Sequence, residues 1–298
     1  MDISFCIVSY NSAEIIKKCL DALLTSDFQG LKIEVIVADN GSSDQSVEIL
    51  TQEFPEVFII QNDENLGYTK AMNLCIKKAT GKYVVQLNPD TISLKDTFIK
   101  LFQWMETNPD IGICTPKILN RDGTLQKQCR RSFAKPWDVL TYFLHLDRVF
   151  PKSKLFGRYL LTYRSNDEIF DVDAVSGSCM FIRSKVFTDV GLLDERFFAY
   201  QEDADFCFRT KQKGWRTVFY PYAEIFHWGG LGGSRHRPYR AIYEWHKSYF
   251  LYYQKNLAKD YFFIINWFMY FAMLIKLIFS MIGAAIAKDK IVGTKKPM

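Results

Sequence analysis

Two aspartates follow short apolar runs that the sequence predicts to be buried strands. Asp39 comes directly after residues 33–38, and Asp90 comes three residues after residues 83–87. Carboxylates at strand ends can hold Mg²⁺ or Mn²⁺ jointly with the phosphates of a substrate. A metal ion held there neutralises the charge that develops on a departing diphosphate. These two positions therefore predict metal-assisted chemistry on a phosphate-bearing substrate.

Two further groups of residues could do chemistry in the second half of the chain. The acidic run Glu202-Asp203-Ala204-Asp205 opens a predicted amphipathic helix, where carboxylates also interact favourably with the helix dipole. His227 lies just beyond a predicted strand at residues 217–220 and directly before Trp228-Gly229-Gly230. Because two glycines allow the backbone to approach a ligand closely, His227 is a candidate metal ligand.

Strands and helices alternate through the part of the chain that precedes Asp90. The predicted strands are residues 3–8, 33–38, 57–60 and 83–87. Three helices are predicted between them: one that Ser12 caps, one that Ser43 caps, and one at residues 69–79. Continuous apolar strands that alternate with helices predict a mainly parallel sheet covered on both faces. Such sheets bind their ligands beyond the carboxyl ends of the strands.

Four polar clusters fall at those strand ends, and together they indicate one pocket rather than four separate turns. They are Ser9-Tyr10-Asn11, the run from Asp39 to Asp44, Asn65-Leu66-Gly67-Tyr68, and Asn88-Pro89-Asp90. The sequence contains no GxGxxG after a strand and no GxxxxGK[ST]. A dinucleotide-binding Rossmann site and a P-loop are therefore disfavoured.

The composition is that of a globular protein with a sizeable core. The chain has 298 residues, of which 48% are hydrophobic, 24% charged and 16% aromatic, with a net charge of +5. These values exclude disordered, collagen-like and disulfide-scaffold chains. The 7 cysteines are scattered without a CxxC pair, which favours reduced thiols in a cytosolic setting over disulfides or a zinc site.

Residues 117–164 form a basic, aromatic stretch with 11 Lys and Arg against 3 Asp and Glu. This charge suits a solvated surface, or else a patch for phosphate-bearing ligands or an anionic membrane. No nucleic-acid-binding motif accompanies the stretch, so nucleic acid is not an expected partner.

Residues 261–287 form an apolar segment in which Lys276 is the only charge. The segment is long enough to cross a bilayer, but Asn266 and Lys276 interrupt it, and a lysine in the middle of a span is costly. We expect a helix, or a helix pair broken near Gly283, lying in the membrane interface. A true span and packing against the catalytic domain or a second subunit are the alternatives. The lysine-rich tail after residue 287 favours an anionic leaflet.

The order of these motifs resembles the family-2 inverting glycosyltransferases of the GT-A fold. The resemblance rests on the four clusters, on Val175-Ser176-Gly177-Ser178, and on the Glu202 and His227 motifs, and it covers about residues 3–253. It is greatest for the rhamnosyltransferase-like members that extend lipid-linked bacterial polysaccharides. It implies an α/β fold with a mainly parallel central sheet in a Rossmann-like α/β/α sandwich, followed by a helical membrane-associating segment.

The same resemblance implies a domain division and individual roles. The catalytic domain would be residues 1–228, with a nucleotide-sugar half at about 1–116 and an acceptor half at about 117–228, before a helical region at 229–298. Asp203 resembles the general base, with Glu202 beside it. Asp90 takes the place of the last Asp of the family's Asp-x-Asp metal motif, Asn88 stands where the first Asp is usual, and His227 resembles an additional ligand of Mg²⁺ or Mn²⁺.

The remaining predicted residues would contact the nucleotide-sugar donor. The resemblance places Ser9, Asn11, Asp39, Asn65, Gly67, Asn73, Asn88 and Gly177 in this group. We add Arg235 and Arg237, because a guanidinium group pairs well with a diphosphate.

The resulting hypothesis is a glycosyltransferase at the cytoplasmic face of the cell membrane, on its inner leaflet. It would move a sugar, with inversion, from a nucleotide-diphosphate donor to a polyprenyl-diphosphate-linked saccharide in bacterial cell-surface polysaccharide synthesis. The resemblance favours L-rhamnose from dTDP-rhamnose, while UDP-hexoses stay open and a homo-oligomer is compatible.

Three other classes fit the sequence less well. A nucleotidyltransferase would usually have a Gly-rich basic loop where this chain has Ser9-Tyr10-Asn11-Ser12. A non-catalytic membrane-tethered scaffold would not need Asp90, Asp203 and His227 in these places. A glycosidase would use two carboxylates but not the asparagines of a nucleotide cleft.

Overall fold

The computed structural model describes residues 1–229 and 238–286. In these ranges the strands are β1 (Ile3–Ser9), β2 (Ile33–Asp39), β3 (Phe58–Gln61), β4 (Tyr83–Leu87), β5 (Thr91–Ser93), β6 (Ile111–Leu119), β7 (Arg130–Arg131), β8 (Phe170–Asp171), β9 (Ala174–Val175), β10 (Cys179–Arg183) and β11 (Arg216–His227). The helices are α1 (Ala13–Leu24), α2 (Ser46–Glu53), α3 (Tyr68–Lys78), α4 (Thr97–Thr107), α5 (Pro136–Phe143), α6 (Leu146–Val149), α7 (Lys185–Val190), α8 (Glu202–Gln212), α9 (Pro238–Asn256) and α10 (Phe263–Ile286).

A central sheet has the strand order β3-β2-β1-β4-β10-β6-β11-β5, with β8 paired to β11. Strands β1 to β4 are parallel to one another, and β6 is parallel to β11. Strand β10 is antiparallel to both of its neighbours, and so joins the two parallel parts. The predicted α/β class with a mainly parallel sheet is confirmed.

The strand order reverses between β1 and β4, and this reversal determines where a ligand can bind. The chain moves outward from β1 through β2 to β3, then returns past β1 to form β4. Right-handed crossovers place the connecting helices on opposite faces of a sheet when the direction reverses. The resulting crevice lies at the carboxyl ends of β1 and β4, where Ser9 and Asn88 are found.

His227 is the last residue of a long strand, which corrects the prediction of a short strand ending well before it. β11 continues past Tyr220 through a register shift and pairs antiparallel with β5. In this pairing His227 lies opposite Thr91. The extension of β11 thus places the imidazole beside Asp90, a contact that a strand at residues 217–220 would not provide.

Helix α9 packs against the same core as the sheet. Tyr249, Tyr252, Tyr253 and Leu257, on and just after this helix, are almost fully buried in that core. Two anchors from the end of α9 hold α8: Lys255 Nζ and Asn256 Nδ2 donate to Asp205 Oδ1 at 2.6 and 2.9 Å. The boundary near residue 228 stays a prediction, and α9 beyond it shares the core of the preceding residues.

Helix α10 packs on α9 through one side and exposes the rest. It is long and apolar enough to cross a membrane, and 6% of its most apolar 18-residue stretch is buried in the protein. Both polar interruptions face the protein: Asn266 Nδ2 donates to the carbonyl of Ala258, and Lys276 Nζ lies 4.1 Å from the ring centre of Trp245. The helix runs without a break through Gly283, so of the two predicted forms the single helix is observed and the broken helix pair is not.

The predicted capping of α1 and α2 by Ser12 and Ser43 is also wrong, because one carboxylate serves both helix ends. Asp44 Oδ2 accepts the Ala13 N–H (3.0 Å), and its Oδ1 accepts the Ser46 N–H (3.0 Å) and hydroxyl (2.5 Å). Neither Ser12 nor Gln45, the residues that precede these helices, caps with its side chain. Burial opposes ionisation of Asp44, but the bonds from Ser46 and Ala13 prevail and lower its pKa.

We expect Asp44→Asn to destabilise the protein by about 1 kcal/mol at neutral pH, the usual cost of a lost cap. A carboxyl group whose pKa is lowered by folding stabilises the protein above its ordinary pKa, and this contribution is lost as the pH falls. The difference between wild type and variant should therefore shrink below the ordinary pKa of 3.8. Thermal unfolding at several pH values measures it, with the exposed Asp63→Asn as control. A difference that is independent of pH would contradict the assignment.

Candidate active site

The side chains of Asn40 and Asn65 connect two loops at the carboxyl ends of the parallel strands. Asn40 Nδ2 donates to Asn65 Oδ1 (3.1 Å) and to the Gly67 carbonyl (3.2 Å), and Asn40 Oδ1 accepts the Leu66 N–H (3.1 Å). Asn40 is 2% exposed, so these bonds are shielded from water. The loop after β2 and the loop before α3 are thereby held together beside the crevice.

Gly67 is required by its conformation and by its neighbour. Its φ is +89°, and a Cβ there would lie 2.6 Å from the ring of Phe198. Any side chain would therefore strain the backbone and displace Phe198. Because Gly67 has no side chain, Phe198 can pack against the start of α3.

Other predicted donor residues use their polar atoms within the fold. Asp39 accepts the Ser42 N–H (2.9 Å) and hydroxyl (2.6 Å). Asn11 Oδ1 accepts the Ser43 N–H (2.8 Å), and the Ser9 hydroxyl is 2.7 Å from that of Ser12. The amide of Asn73 bonds the backbone of Leu193 at 2.9 and 3.1 Å, and this contact holds the segment after α7. Donor contact by these four residues stays a prediction.

Asp90 and His227 lie together at the carboxyl ends of β4 and β11. His227 Nε2 is 3.1 Å from Asp90 Oδ1 and 3.3 Å from Asn88 Nδ2. Its Nδ1 is 2.8 Å from Oε1 of Gln126. Because Gln126 Nε2 donates to the carbonyl of His227 (3.1 Å), Oε1 of Gln126 is the acceptor that faces Nδ1. Nδ1 therefore donates to Gln126, and Nε2 is the ring nitrogen that faces Asp90.

This pair of side chains fits a divalent ion that takes its other ligands from a substrate. Within residues 1–229 and 238–286, no group of three or more His, Cys, Asp or Glu could hold a metal ion. Mg²⁺ in phosphate-transfer sites is commonly held by one or two carboxylates together with substrate phosphates and water. An imidazole oriented through its other nitrogen, as Gln126 orients His227, is the usual arrangement for a metal ligand.

Asp203 is the most strongly positioned carboxylate of the site. Its Oδ2 accepts Arg131 Nη2 (2.6 Å) and the Gly177 N–H (2.9 Å), while Oδ1 accepts the N–H of Ala204 (2.6 Å). Both members of the Arg131–Asp203 pair are largely buried, with side chains 12% and 11% exposed. A Cβ on Gly177 would lie 2.7 Å from Gln86 Nε2, so any other residue at this position would displace that amide.

A series of contacts joins the Asp203 region to the Asp90 region. The Tyr68 hydroxyl lies 3.5 Å from the carbonyl of Gly177 and 3.4 Å from Asn88 Oδ1. Asn88 in turn contacts His227. The predicted base and the predicted metal ligands therefore belong to one site.

Glu202, beside Asp203, is in a different electrostatic state. Burial, together with the negative charge of Asp203, raises the pKa of Glu202 to about 8. In the part of the chain that the structure describes, its Oε2 is buried without a hydrogen-bond partner. Glu202 is therefore mostly protonated at neutral pH.

The backbone just before these two carboxylates is strained. Tyr200 and Gln201 have φ values of +69° and +62°, a left-handed conformation that non-glycine residues seldom adopt. Strain of this kind persists where the surrounding fold imposes it, commonly at functional sites. Here it precedes the first turn of α8, which carries Glu202 and Asp203.

The structure thus brings together Asp90, Asn88, His227, Gly177, Glu202 and Asp203. Arg235 and Arg237, and Gly230 of the motif after His227, lie outside the described residues. Sequence reasoning did not single out Arg131 or Gln126 as site residues, and it included Tyr68 in a pocket cluster without giving it a role. Arg131 is one of 11 basic residues in its stretch, and no local spacing marked it as the partner of Asp203.

We expect Glu202→Gln to make the protein less sensitive to rising pH. Since folding raises the pKa of Glu202, the folded state retains a proton that the unfolded chain loses, and stability falls as the pH rises from about 4.5 to about 8. The amide cannot ionise, so melting temperatures between about pH 5 and about pH 9 should decline less than in the wild type. Exposed Glu56→Gln is the matched control. Parallel melting curves for wild type and Glu202→Gln would refute the protonated state.

Comparison with known proteins matches this chain to one protein family. The model of the family described as "Glycosyl transferase family 2" matches residues 4–191. The N-acetylglucosaminyl-diphospho-decaprenol L-rhamnosyltransferase of Mycobacterium tuberculosis is 28% identical over 208 residues, covering 65% of this chain and 66% of the relative. The low-salt glycan biosynthesis hexosyltransferase Agl10 of Haloferax volcanii is 28% identical over 216 residues, covering 71% and 62%. This chain therefore spans slightly under two thirds of the length of both relatives.

A solved structure shows the same fold. The mannosyltransferase PcManGT of Pyrobaculum calidifontis, in complex with GDP-Man and Mn²⁺, superposes with a TM-score of 0.57 at 17% identity, covering 96% of this chain and 75% of that protein. The GT-A architecture predicted from the motif order is thus confirmed. Because the family model covers more than half of its length, the chain belongs to glycosyltransferase family 2.

Proposed function

We propose that this protein transfers a sugar, with inversion, from a nucleotide-diphosphate donor to a polyprenyl-diphosphate-linked saccharide in bacterial cell-surface polysaccharide synthesis. The favoured donor is dTDP-L-rhamnose, consistent with the name of the mycobacterial relative. A UDP-hexose is the second candidate, because the haloarchaeal relative of equal identity is named a hexosyltransferase. The observation that carries the proposal is the buried Asp203 carboxylate, fixed by Arg131 and Gly177 beside Asp90 and His227.

Asp203 is the proposed general base. It would take the proton of the acceptor hydroxyl, whose oxygen attacks the anomeric carbon opposite the leaving nucleoside diphosphate, so that one displacement inverts the configuration. A base must be unprotonated and within hydrogen-bond reach of the hydroxyl. Glu202 is mostly protonated at neutral pH, which favours Asp203 for this role. Arg131 acts as a positioning residue that holds the carboxylate in one orientation.

Asp90 and His227 are the proposed protein ligands of Mg²⁺ or Mn²⁺. When bound, such an ion supplies positive charge to the departing diphosphate. Gln126 holds the His227 ring through its contact with Nδ1, so that Nε2 faces Asp90. Arg235 and Arg237 remain proposed partners of the same diphosphate.

The proposed location is the cytoplasmic face of the cell membrane, with α10 in the interface of the inner leaflet. The packing of α10 supports an in-plane helix over a span. Between Asn266 and Ser280 it lies along α9, where Ser280 Oγ is 3.5 Å from His246 Nε2. A perpendicular span would carry α9, with Lys247 and Glu244, into the hydrocarbon, where charges are costly.

Asp203→Asn should reduce transfer by about 10²-fold or more, the usual contribution of a general base, while donor binding is retained. The assay offers dTDP-rhamnose, UDP-glucose, UDP-galactose, GDP-mannose and UDP-GlcNAc with a polyprenyl-diphosphate saccharide, and thermal shift reports donor binding. The control is Asp63→Asn. Retention of most activity in Asp203→Asn would exclude it as the base. Reaction of a nucleoside triphosphate with a sugar phosphate, without transfer from any donor, would identify a nucleotidyltransferase instead.

Asp90→Ala and His227→Ala should each raise the Mg²⁺ or Mn²⁺ concentration needed for half-maximal activity. Gln126→Leu should do so by about 10-fold, because it releases the orientation of His227 without removing a ligand. Metal titrations of transfer activity measure this, with exposed Gln52→Leu as the matched control. Unchanged titrations in both Asp90→Ala and His227→Ala would show that neither residue is a ligand.

A further inference from the structure

Residues 135–158, which contain α5 and α6, expose an unusual number of large apolar side chains. We call this region the α5–α6 segment. Between 40% and 65% of each of these side chains is exposed: Trp137, Leu140, Phe143, Leu144, Val149, Phe150 and Leu155. Trp137, Leu140 and Phe143 recur three residues apart, so they lie along one side of α5. A cluster of this kind on a soluble surface marks an interaction site.

The exposed charge of the α5–α6 segment is entirely positive. Both of its acidic residues, Asp138 and Asp147, are buried, with 2% and 5% exposure. The basic residues Arg148, Lys152, Lys154 and Arg158 are exposed, and Lys135 is half-buried. Apolar side chains interleaved with basic ones are the pattern of a helix that lies in the interface of an anionic membrane.

The segment is adjacent to α10 and close in sequence to the active site. Lys276 Nζ of α10 lies 5.0 Å from the ring centre of Phe143. At the other end, Arg131, the partner of Asp203, precedes the first residue of α5 by five positions. Membrane contact by the segment would therefore hold the Arg131–Asp203 pair near the bilayer surface.

We propose that the α5–α6 segment is a second membrane-binding element, which inserts its exposed apolar side chains among the headgroups of an anionic leaflet beside α10. This inference deepens the proposed membrane association and rests on it. A second copy of the chain fits less well as the occupant. In a two-fold interface the same basic residues would face each other, because the segment has no exposed acid to pair with them.

The test uses a fluorophore that reports the polarity around one introduced cysteine in the full chain. All 7 native cysteines are buried, so an added exposed cysteine is labelled selectively. Three positions of similar exposure are compared: Leu144→Cys in the segment, Phe271→Cys on α10 and Phe58→Cys on β3, at 59%, 61% and 51%. The labelled proteins are mixed with phosphatidylcholine vesicles that contain or lack phosphatidylglycerol.

On anionic vesicles we expect the probes at 144 and 271 to shift to shorter wavelength and to be quenched by brominated lipid, while the probe at 58 is unchanged. Replacing Arg148, Lys152 and Lys154 with Gln should weaken vesicle binding by roughly fivefold per charge, an effect that high salt removes.

Three results would overturn the inference, and they have different consequences. If the probe at 271 enters lipid while that at 144 stays in water, the segment does not bind membrane but the proposed association of α10 stands. If both stay in water, the proposed membrane association fails as well. If the probe at 144 shifts without vesicles and in proportion to protein concentration, a second copy of the chain covers the segment.

Discussion

The buried ion pair between Arg131 and Asp203 is the contact on which the site depends. Removing two charges from water costs free energy, and the pair compensates only when its geometry is good and the remaining polar atoms are bonded. At Asp203 both oxygens are bonded, Oδ1 by the Ala204 N–H and Oδ2 by Arg131 and the Gly177 N–H. On the arginine, Nε is buried without a hydrogen-bond partner among the described residues. Loss of the guanidinium alone would leave a buried carboxylate uncompensated, which typically costs about 3–5 kcal/mol.

Because Asp203 pairs with Arg131, the neighbouring Glu202 has no comparable partner among the described residues. Its pKa is raised by burial and by the charge of Asp203, and the attraction of Arg131 only partly offsets these effects. Two adjacent carboxyl groups on one helical turn thereby have different surroundings, and the pKa of Glu202 is raised. The position of Arg131, which lies in the short β7–β9 ribbon, contributes to this difference together with the burial of Glu202.

The first turn of α8 also connects the site to the apolar helix α10. Asp203 faces the site, while Asp205, two residues later, accepts from Lys255 and Asn256 at the end of α9. The Tyr253 hydroxyl of α9 then donates to Asn266 Oδ1 of α10 at 2.7 Å. Three consecutive packed helices thus fix the orientation of α10 relative to the candidate base.

The sequence was sufficient for features that depend on the order of residues along one strand or helix. Asp39, Asn88 and Asp90 could be placed at strand ends because apolar runs and turn residues mark where strands stop. Features that depend on contacts between distant residues could not be found in this way. Asp44 caps α1 from 31 positions away, and Arg131 meets Asp203 across 72 positions. Ser12 and Ser43 had the right residue type for caps, but the Ser12 hydroxyl contacts that of Ser9, and Asp44 accepts the N–H of Ser46.

Lys276 illustrates why the direction of a side chain matters more than its type. In the sequence this lysine lies in the middle of an apolar segment, and its charge would be costly if the side chain faced lipid. In the fold its ammonium lies between the rings of Trp245 and Phe143, at 4.1 and 5.0 Å. The lysine therefore stabilises the packing of α10 against α9 and α5. The outward side of α10 presents large apolar side chains, including Trp267, Phe271 and Phe279. A charge that seemed to oppose membrane contact instead orients the helix so that its apolar side is available for it.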